Sequence, residues 1–171
     1  MELLKKFDIS IIAHRGFNKE YPENTLLAFQ KAIDAGADYV ELDVHFSKDK
    51  EIVVIHDGNT RRTGDKSLDV ENTPLDQLKT VDMGEGERIP TLEEVLNLCK
   101  GKIGVQIEIK GDGMAQSVVE MIEKEKMVSD VLLSSFKHGE MKEAKKINPK
   151  IATASLEPNA LSAVRGLFFK S

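Results

Sequence analysis

Four strand-like runs in succession each carry reactive polar side chains at or near their carboxyl ends. The four runs are residues 9–13, followed by His14-Arg15-Gly16; residues 39–44, which contain Glu41 and Asp43; residues 52–55, followed by His56-Asp57; and residues 103–110, which end in Glu108-Ile109-Lys110. A parallel α/β barrel builds its active site at the carboxyl ends of its strands. The pattern therefore predicts a barrel-like fold with a catalytic site at one end.

The segments between these runs have helical periodicity. Asn24 is expected to cap a first helix, and Thr91 with Glu94 is a capping-box signal for a later one. Two further strands are expected at residues 131–135 and 151–155. Alternating helices and buried strands predict a parallel sheet.

Residues 58–90 interrupt this alternation with several glycines and prolines, so we expect an insertion after the third strand. A chain of 171 residues with 40% hydrophobic content can bury one sizeable core. Residues 1–171 are therefore expected to form a single α/β domain.

The composition excludes some classes of partner. A net charge of −5 and a pI near 5.5 disfavour a nucleic-acid binder, which would need a basic surface. No run has the length of a membrane span, and the amino-terminal residues contain no apolar signal segment, so the expected location is the cytoplasm. Cys99 lies on an apolar helical face and is expected to be a core residue.

The spacing of the acids within the strands predicts a metal site. Residues two apart on a strand share a face, so Glu41 lies on the same side as Asp43, and Glu108 on the same side as Lys110. Several carboxylates without a nearby cysteine favour a hard cation, Mg²⁺ or Ca²⁺, over Zn²⁺. The alternative for each acid is an ordinary solvated or ion-paired carboxylate.

The two strand-end histidines suit proton transfer. Histidine titrates near neutral pH, so His14 and His56 beside a metal could take a proton from a nucleophile and give one to a leaving oxygen. Each could instead be a hydrogen-bonded structural residue. Arg15 and Lys110 fit a charged phosphate better than a neutral substrate. Together these residues point to metal-assisted phosphoryl chemistry.

The same residues occur in a series of separated motifs that runs from about Ile11 to about Ser155. In order, the motifs are Ile12-Ala13-His14-Arg15-Gly16, Pro22-Glu23-Asn24-Thr25, Glu41-Leu42-Asp43-Val44, His56-Asp57, Pro90-Thr91-Leu92, Ile107-Glu108-Ile109-Lys110 and Ser134-Ser135-Phe136. This series resembles the glycerophosphodiester phosphodiesterase family. The resemblance implies a (β/α)₈ barrel with a small insertion, and hydrolysis of glycerophosphodiesters to glycerol 3-phosphate and an alcohol.

The resemblance also implies roles for individual residues. His14 and His56 would be the acid/base pair, and Arg15 and Lys110 would hold the phosphate. The implied ligands of the divalent cation are Glu41, Asp43 and Glu108. Glu23 and Asn24 would shape the first loop of the site.

The chain departs from the family pattern toward its carboxyl end. A complete (β/α)₈ barrel typically has about 250 residues, whereas this chain offers six strand candidates and no Trp for the family's last strand. The expectation is an incomplete barrel with open edges, covered either by residues 156–171 or by a second copy of the chain. Two alternative functions remain: a related phospholipid phosphodiesterase, and a truncated non-catalytic remnant that binds phosphate or a partner.

Overall fold

The computed structural model describes residues 10–157, which form one six-stranded sheet with helices packed against it. The strands are β1 (Ile12–His14), β2 (Tyr39–Phe46), β3 (Ile52–Val54), β4 (Gly104–Ile109), β5 (Val131–Ser135) and β6 (Ala152–Ser155). The helices are α1 (Leu26–Asp34), α2 (Leu75–Leu78), α3 (Leu92–Cys99), α4 (Ala115–Lys124) and α5 (His138–Ile147).

Five of these strands are parallel, in the order β1-β2-β4-β5-β6, as the βα alternation predicted. A main hydrophobic core lies between the sheet and the helices and includes Phe29, Leu96 and the fully buried Cys99. The register places His14 opposite Glu41 and Asp43 opposite Glu108. The sheet thus brings the predicted site residues of three strands to one end.

The helix caps agree with the sequence in one case and differ in the other. Thr91 and Glu94 form the predicted capping box of α3. The predicted cap of α1 at Asn24 is wrong, because the hydroxyl of Thr25 caps that helix by accepting from the backbone N–H of Ala28. The side chain of Asn24 is therefore available for a contact elsewhere.

The third strand is not a parallel barrel strand, which corrects the expectation of six. β3 pairs with β2 in the antiparallel direction, with Val54 opposite Val44. Only residues 47–51 connect the two strands, and a parallel crossover needs a dozen residues or more. The described residues therefore provide five barrel strands and one returning hairpin strand.

This hairpin brings the two histidines toward each other. β4 occupies one edge of β2 along residues 39–44, so β1 and β3 must share the other edge. β1 runs up this edge to His14, while β3 runs down it until the N–H of Ile55 bonds to the carbonyl of Asp43. His14 and His56 therefore approach the same part of β2 from opposite directions.

A second, small hydrophobic cluster joins β3 to the segment that follows it. It consists of Val53, Ile55, Val70, Leu78, Val81, Met83 and Ile89. None of the helices in the described part of the chain has the length and apolar content of a membrane-spanning segment. The predicted covering role of residues 156–171 falls almost wholly outside the described residues.

Candidate active site

A buried group of three carboxylates lies on the middle of β2 and at the carboxyl end of β4. Glu41, Asp43 and Glu108 each offer an oxygen within 4.8 Å of the other two, and their exposed fractions are 5%, 1% and 8%. The period of two along β2 and the pairing of Asp43 with Glu108 across the strands produce this arrangement. The three acids predicted as metal ligands are thus brought together.

The electrostatics of this cluster disfavour three free negative charges. Burial, followed by the nearby charge of Asp43, raises the pKa of Glu41 to about 7. The backbone N–H of Arg15 donates to Glu41 at 3.0 Å and partly opposes this rise. A cation at the cluster would offset both the burial and the mutual repulsion.

The two predicted phosphate-binding residues lie against these carboxylates. The Nζ of Lys110 is 2.6 Å from Glu108 Oε1 and 3.0 Å from Asp43 Oδ1. Burial alone lowers the pKa of Lys110, but the hydrogen bond to Glu108 and the charge of Asp43 raise it overall. The guanidinium of Arg15 lies 3.5 Å from Asp43 through Nε and 3.0 Å from Glu23 through Nη1.

Asn24 contributes an amide to the same cluster. Its Nδ2 donates to Asp43 Oδ2 at 3.0 Å, and its backbone N–H donates to the carbonyl of Arg15. Its Oδ1 is buried and has no hydrogen-bond partner among the described residues. A buried oxygen acceptor of this kind beside three carboxylates fits an environment built for a cation.

His14 lies at the open side of the cluster. Its side chain is 62% exposed, and its Nε2 is 3.9 Å from Glu41 Oε2. Partial desolvation of the ring by neighbouring groups and the charge of Arg15 lower the pKa of His14, which favours a neutral imidazole near pH 7. A neutral, accessible imidazole is able to accept a proton.

His56 is oriented by the residue that follows it. Its Nδ1 is 2.6 Å from Asp57 Oδ1, and its backbone carbonyl lies 3.1 Å from Nε2 of the buried His45. The pKa of Asp57 is lowered to about 2, mainly by a hydrogen bond from Arg62 and further by His56. Asp57 is therefore ionised across the neutral pH range.

Arg62 contacts two residues of the candidate site, and the sequence did not predict these contacts. Its Nε donates to Asp57 Oδ2 at 2.7 Å, and its Nη1 and Nη2 donate to the two oxygens of Glu23 at 2.9 and 2.7 Å. These hydrogen bonds, with Arg15, lower the pKa of Glu23. Nothing in the local pattern around Arg62 distinguishes it from the neighbouring Arg61.

The donor set fits a hard divalent cation. All three acids offer carboxylate oxygens, and the cysteine in the described residues, Cys99, lies in the core with its pKa raised to about 12 by burial. Oxygen-only sites are typical of Mg²⁺ and Ca²⁺ rather than Zn²⁺. Glu41, Asp43 and Glu108 are the residues able to hold such an ion.

Comparison with known proteins identifies the family of this chain. Residues 14–167 match the model of the Glycerophosphoryl diester phosphodiesterase family. The chain belongs to this family.

Two curated relatives illustrate the likeness within this phosphodiesterase family. A glycerophosphodiester phosphodiesterase of Caldanaerobacter subterraneus is 39% identical over 154 residues, which cover 82% of this chain and 63% of the relative. One of Bacillus altitudinis is 38% identical over 160 residues, covering 85% of this chain and 65% of the relative. The chain thus spans about two thirds of the length of these relatives.

Solved structures of the family have the same fold. A glycerophosphodiester phosphodiesterase from Agrobacterium tumefaciens matches with a TM-score of 0.79 and 34% identity, covering 84% of this chain and 65% of that one. An Oleispira antarctica phosphodiesterase in complex with the product sn-glycerol-3-phosphate matches with a TM-score of 0.78 and 30% identity, covering 94% and 72%. The fold is that of a TIM-type barrel, of which residues 10–157 supply five parallel strands.

Proposed function

We propose that the protein hydrolyses glycerophosphodiesters to glycerol 3-phosphate and an alcohol with the help of Mg²⁺ or Ca²⁺. The observation that carries this proposal is the buried cluster of Glu41, Asp43 and Glu108, with His14 and His56 approaching it along one edge of β2. Family membership and a relative that binds sn-glycerol-3-phosphate support the choice of substrate.

The cation-binding role belongs to the three carboxylates. When bound, the ion would act as a Lewis acid: it would polarise a phosphoryl oxygen of the substrate and compensate the negative charge of that oxygen. Lys110 and Arg15 add two positive charges beside the acids, and they hold the anionic phosphate by charge-assisted hydrogen bonds. This arrangement favours a charged phosphodiester over a neutral ester.

The proton transfers belong to the two histidines. One imidazole removes a proton from the attacking water as the water oxygen bonds to phosphorus, and the other protonates the oxygen of the departing alcohol as its bond to phosphorus breaks. Because Asp57 accepts at Nδ1 of His56, the Nε2 atom of His56 is the one available for this transfer. His14 presents an exposed ring beside Glu41 for the complementary step.

A product assay tests the proposed function. Protein freed of metal by a chelator should release no glycerol 3-phosphate from glycerophosphocholine, and activity should return with added Mg²⁺ or Ca²⁺. A Glu120→Gln variant, altered at an exposed position on α4, should behave like the wild type. Turnover that persists in the chelator, or turnover of lysophospholipid vesicles alone, would contradict the proposal. A protein that binds phosphate but releases no product from either substrate would be a non-catalytic remnant.

We propose that the chain is one domain that includes the insertion at residues 58–90, and that the protein acts in the cytoplasm, which cell fractionation would test. Ile11 and Ile12, just before and at the start of the edge strand β1, are 63% and 45% exposed, so a second copy of the chain could cover this edge. Size-exclusion chromatography with light scattering would detect such a dimer.

A further inference from the structure

Arg62 connects two acidic residues that come from separate parts of the chain. Glu23 lies in the loop between β1 and α1, and Asp57 follows β3 directly after His56. The planar guanidinium uses one N–H on Asp57 and two on Glu23, at 2.7 to 2.9 Å. Arginine is suited to this task because its N–H groups form a rigid fork. Arg62 itself lies in the predicted insertion at residues 58–90.

The Asp57 carboxylate determines which nitrogen of His56 carries the proton. An ionised carboxylate is an acceptor only, so the 2.6 Å contact requires an N–H at Nδ1 of His56. The Nε2 atom is then left as the acceptor of the neutral ring. If Asp57 turned away, both tautomers of His56 would become accessible.

The same ion pairs continue to the carboxylate cluster. Glu23 accepts from Arg15 at 3.0 Å as well as from Arg62, and Arg15 lies 3.5 Å from Asp43. A single exposed ion pair contributes little, but a network of bidentate pairs imposes a defined geometry. Glu23 and Asp57 have side chains only 18% and 28% exposed, so both carboxylates are largely enclosed.

We infer that Arg62 is a positioning residue for His56, acting through Asp57, and that the insertion thereby forms part of the active site. The kinetic part of this inference rests on the proposed function of His56. Arg62 holds the Asp57 carboxylate in the orientation that fixes the Nδ1–H tautomer, and Glu23 fixes Arg62 in turn. Without Arg62, the Asp57 side chain is free to rotate toward solvent.

¹⁵N NMR of the histidine rings measures the tautomer of His56. This measurement does not require the protein to turn over substrate. In the wild type we expect His56 to show a protonated Nδ1 and an unprotonated Nε2 at a pH where the ring is neutral. Arg62→Gln should give averaged nitrogen shifts at His56, whereas the matched control Arg61→Gln should retain the wild-type pattern. Arg61 carries the same side-chain charge, but it is the backbone N–H of Arg61 that donates a hydrogen bond, to Oδ1 of Asn59. An unchanged His56 tautomer in Arg62→Gln would overturn the inference.

Kinetics separate positioning from other roles. Arg62→Gln should lower kcat by about 10- to 100-fold, by analogy with the loss of a hydrogen-bonded partner behind a metal-ligating histidine, with little change in KM. In a His56→Ala background the same substitution should have almost no further effect, because the group that it positions is gone. Effects that multiply in the double variant, or a raised KM at unchanged kcat, would show that Arg62 acts on the fold or the substrate instead and would overturn the inference. If His56→Ala alone kept full turnover, the proposed function of His56 would fail, and the NMR result would still decide the Asp57–Arg62 arrangement.

Discussion

Replacing Glu41 by Gln should change how the stability of the metal-free protein depends on pH. The Glu41 carboxyl is almost fully buried, and its pKa is raised from 4.5 to about 7 by burial and by Asp43. A shift of one pKa unit corresponds to about 1.4 kcal/mol. The raised pKa of Glu41 therefore changes the free energy of unfolding by about 3 kcal/mol between low and neutral pH. Glutamine has nearly the same shape and can still accept the backbone N–H of Arg15, so the variant removes the charge with little change in packing.

The sign follows from proton binding. Between pH 4.5 and 7 the folded protein keeps a proton on Glu41 that the unfolded chain has lost. Folded-state stability from this group is therefore complete below pH 4.5 and falls as the pH rises to 7. Glutamine does not titrate, so Glu41→Gln does not lose stability in this way. Between pH 4.5 and pH 7 the free energy of unfolding of the variant should therefore rise by about 3 kcal/mol relative to that of the wild type.

Urea unfolding at a series of pH values, in the presence of a chelator, measures this difference. Glu120→Gln is the matched control and should follow the wild type at every pH. Saturating Ca²⁺ or Mg²⁺ should remove most of the wild-type decline, because a bound cation compensates the carboxylate charge. Parallel pH profiles for the wild type and Glu41→Gln without metal would refute the electrostatic reasoning.

Two further predictions concern the histidines and a glycine. His14→Ala and His56→Ala should each lower turnover by about 10²- to 10⁴-fold while circular dichroism shows an intact fold; near wild-type turnover would remove that residue from the mechanism. Gly16→Ala should destabilise the protein by about 2 kcal/mol or more in urea unfolding, because φ is +77° and a Cβ would lie 2.8 Å from the backbone of Ala28. Gly36 has a similar φ of +76° but open space around it, so Gly36→Ala should lower the free energy of unfolding by less than Gly16→Ala. Equal losses in the two variants would exclude the steric clash with Ala28 as the cause.

The parallel sheet and the carboxylate cluster were predictable because both follow from short-range periodicity. Residues two apart on a strand share a face, so Glu41 and Asp43 had to point to the same side. The carboxyl-end rule for parallel strands then placed Glu108 near them, as the structure confirms. These inferences need no knowledge of loop geometry.

The direction of β3 was predicted wrongly because the inference used apolar content and ignored the connection. Residues 47–51 are too few for a parallel crossover, and the N–H of Ser47 bonds to the carbonyl of Glu51 in a tight turn. Counting the linker would have given an antiparallel hairpin. The error matters because His56 reaches the site along the returning strand of this hairpin.

The role of Arg62 could not be read from the sequence because its partners depend on tertiary structure. Asp57 is five positions away and Glu23 is thirty-nine positions away. Surface arginines are common, and the adjacent Arg61 has the same side chain without these contacts. The order of residues in the sequence does not show which of the two arginines, Arg61 or Arg62, has its side chain turned toward the site.

The most direct test of the account is the binding of Ca²⁺ and Mg²⁺ by calorimetry to the wild type, Glu108→Gln and Glu120→Gln. We expect one cation site in the wild type, an affinity weaker by at least about tenfold, or 1.4 kcal/mol, in Glu108→Gln, and no change in Glu120→Gln. Glycerophosphodiester turnover should rise with the measured occupancy of the site in each protein. Unaltered cation affinity in Glu108→Gln would contradict the assignment of the Glu41, Asp43 and Glu108 cluster as the metal site.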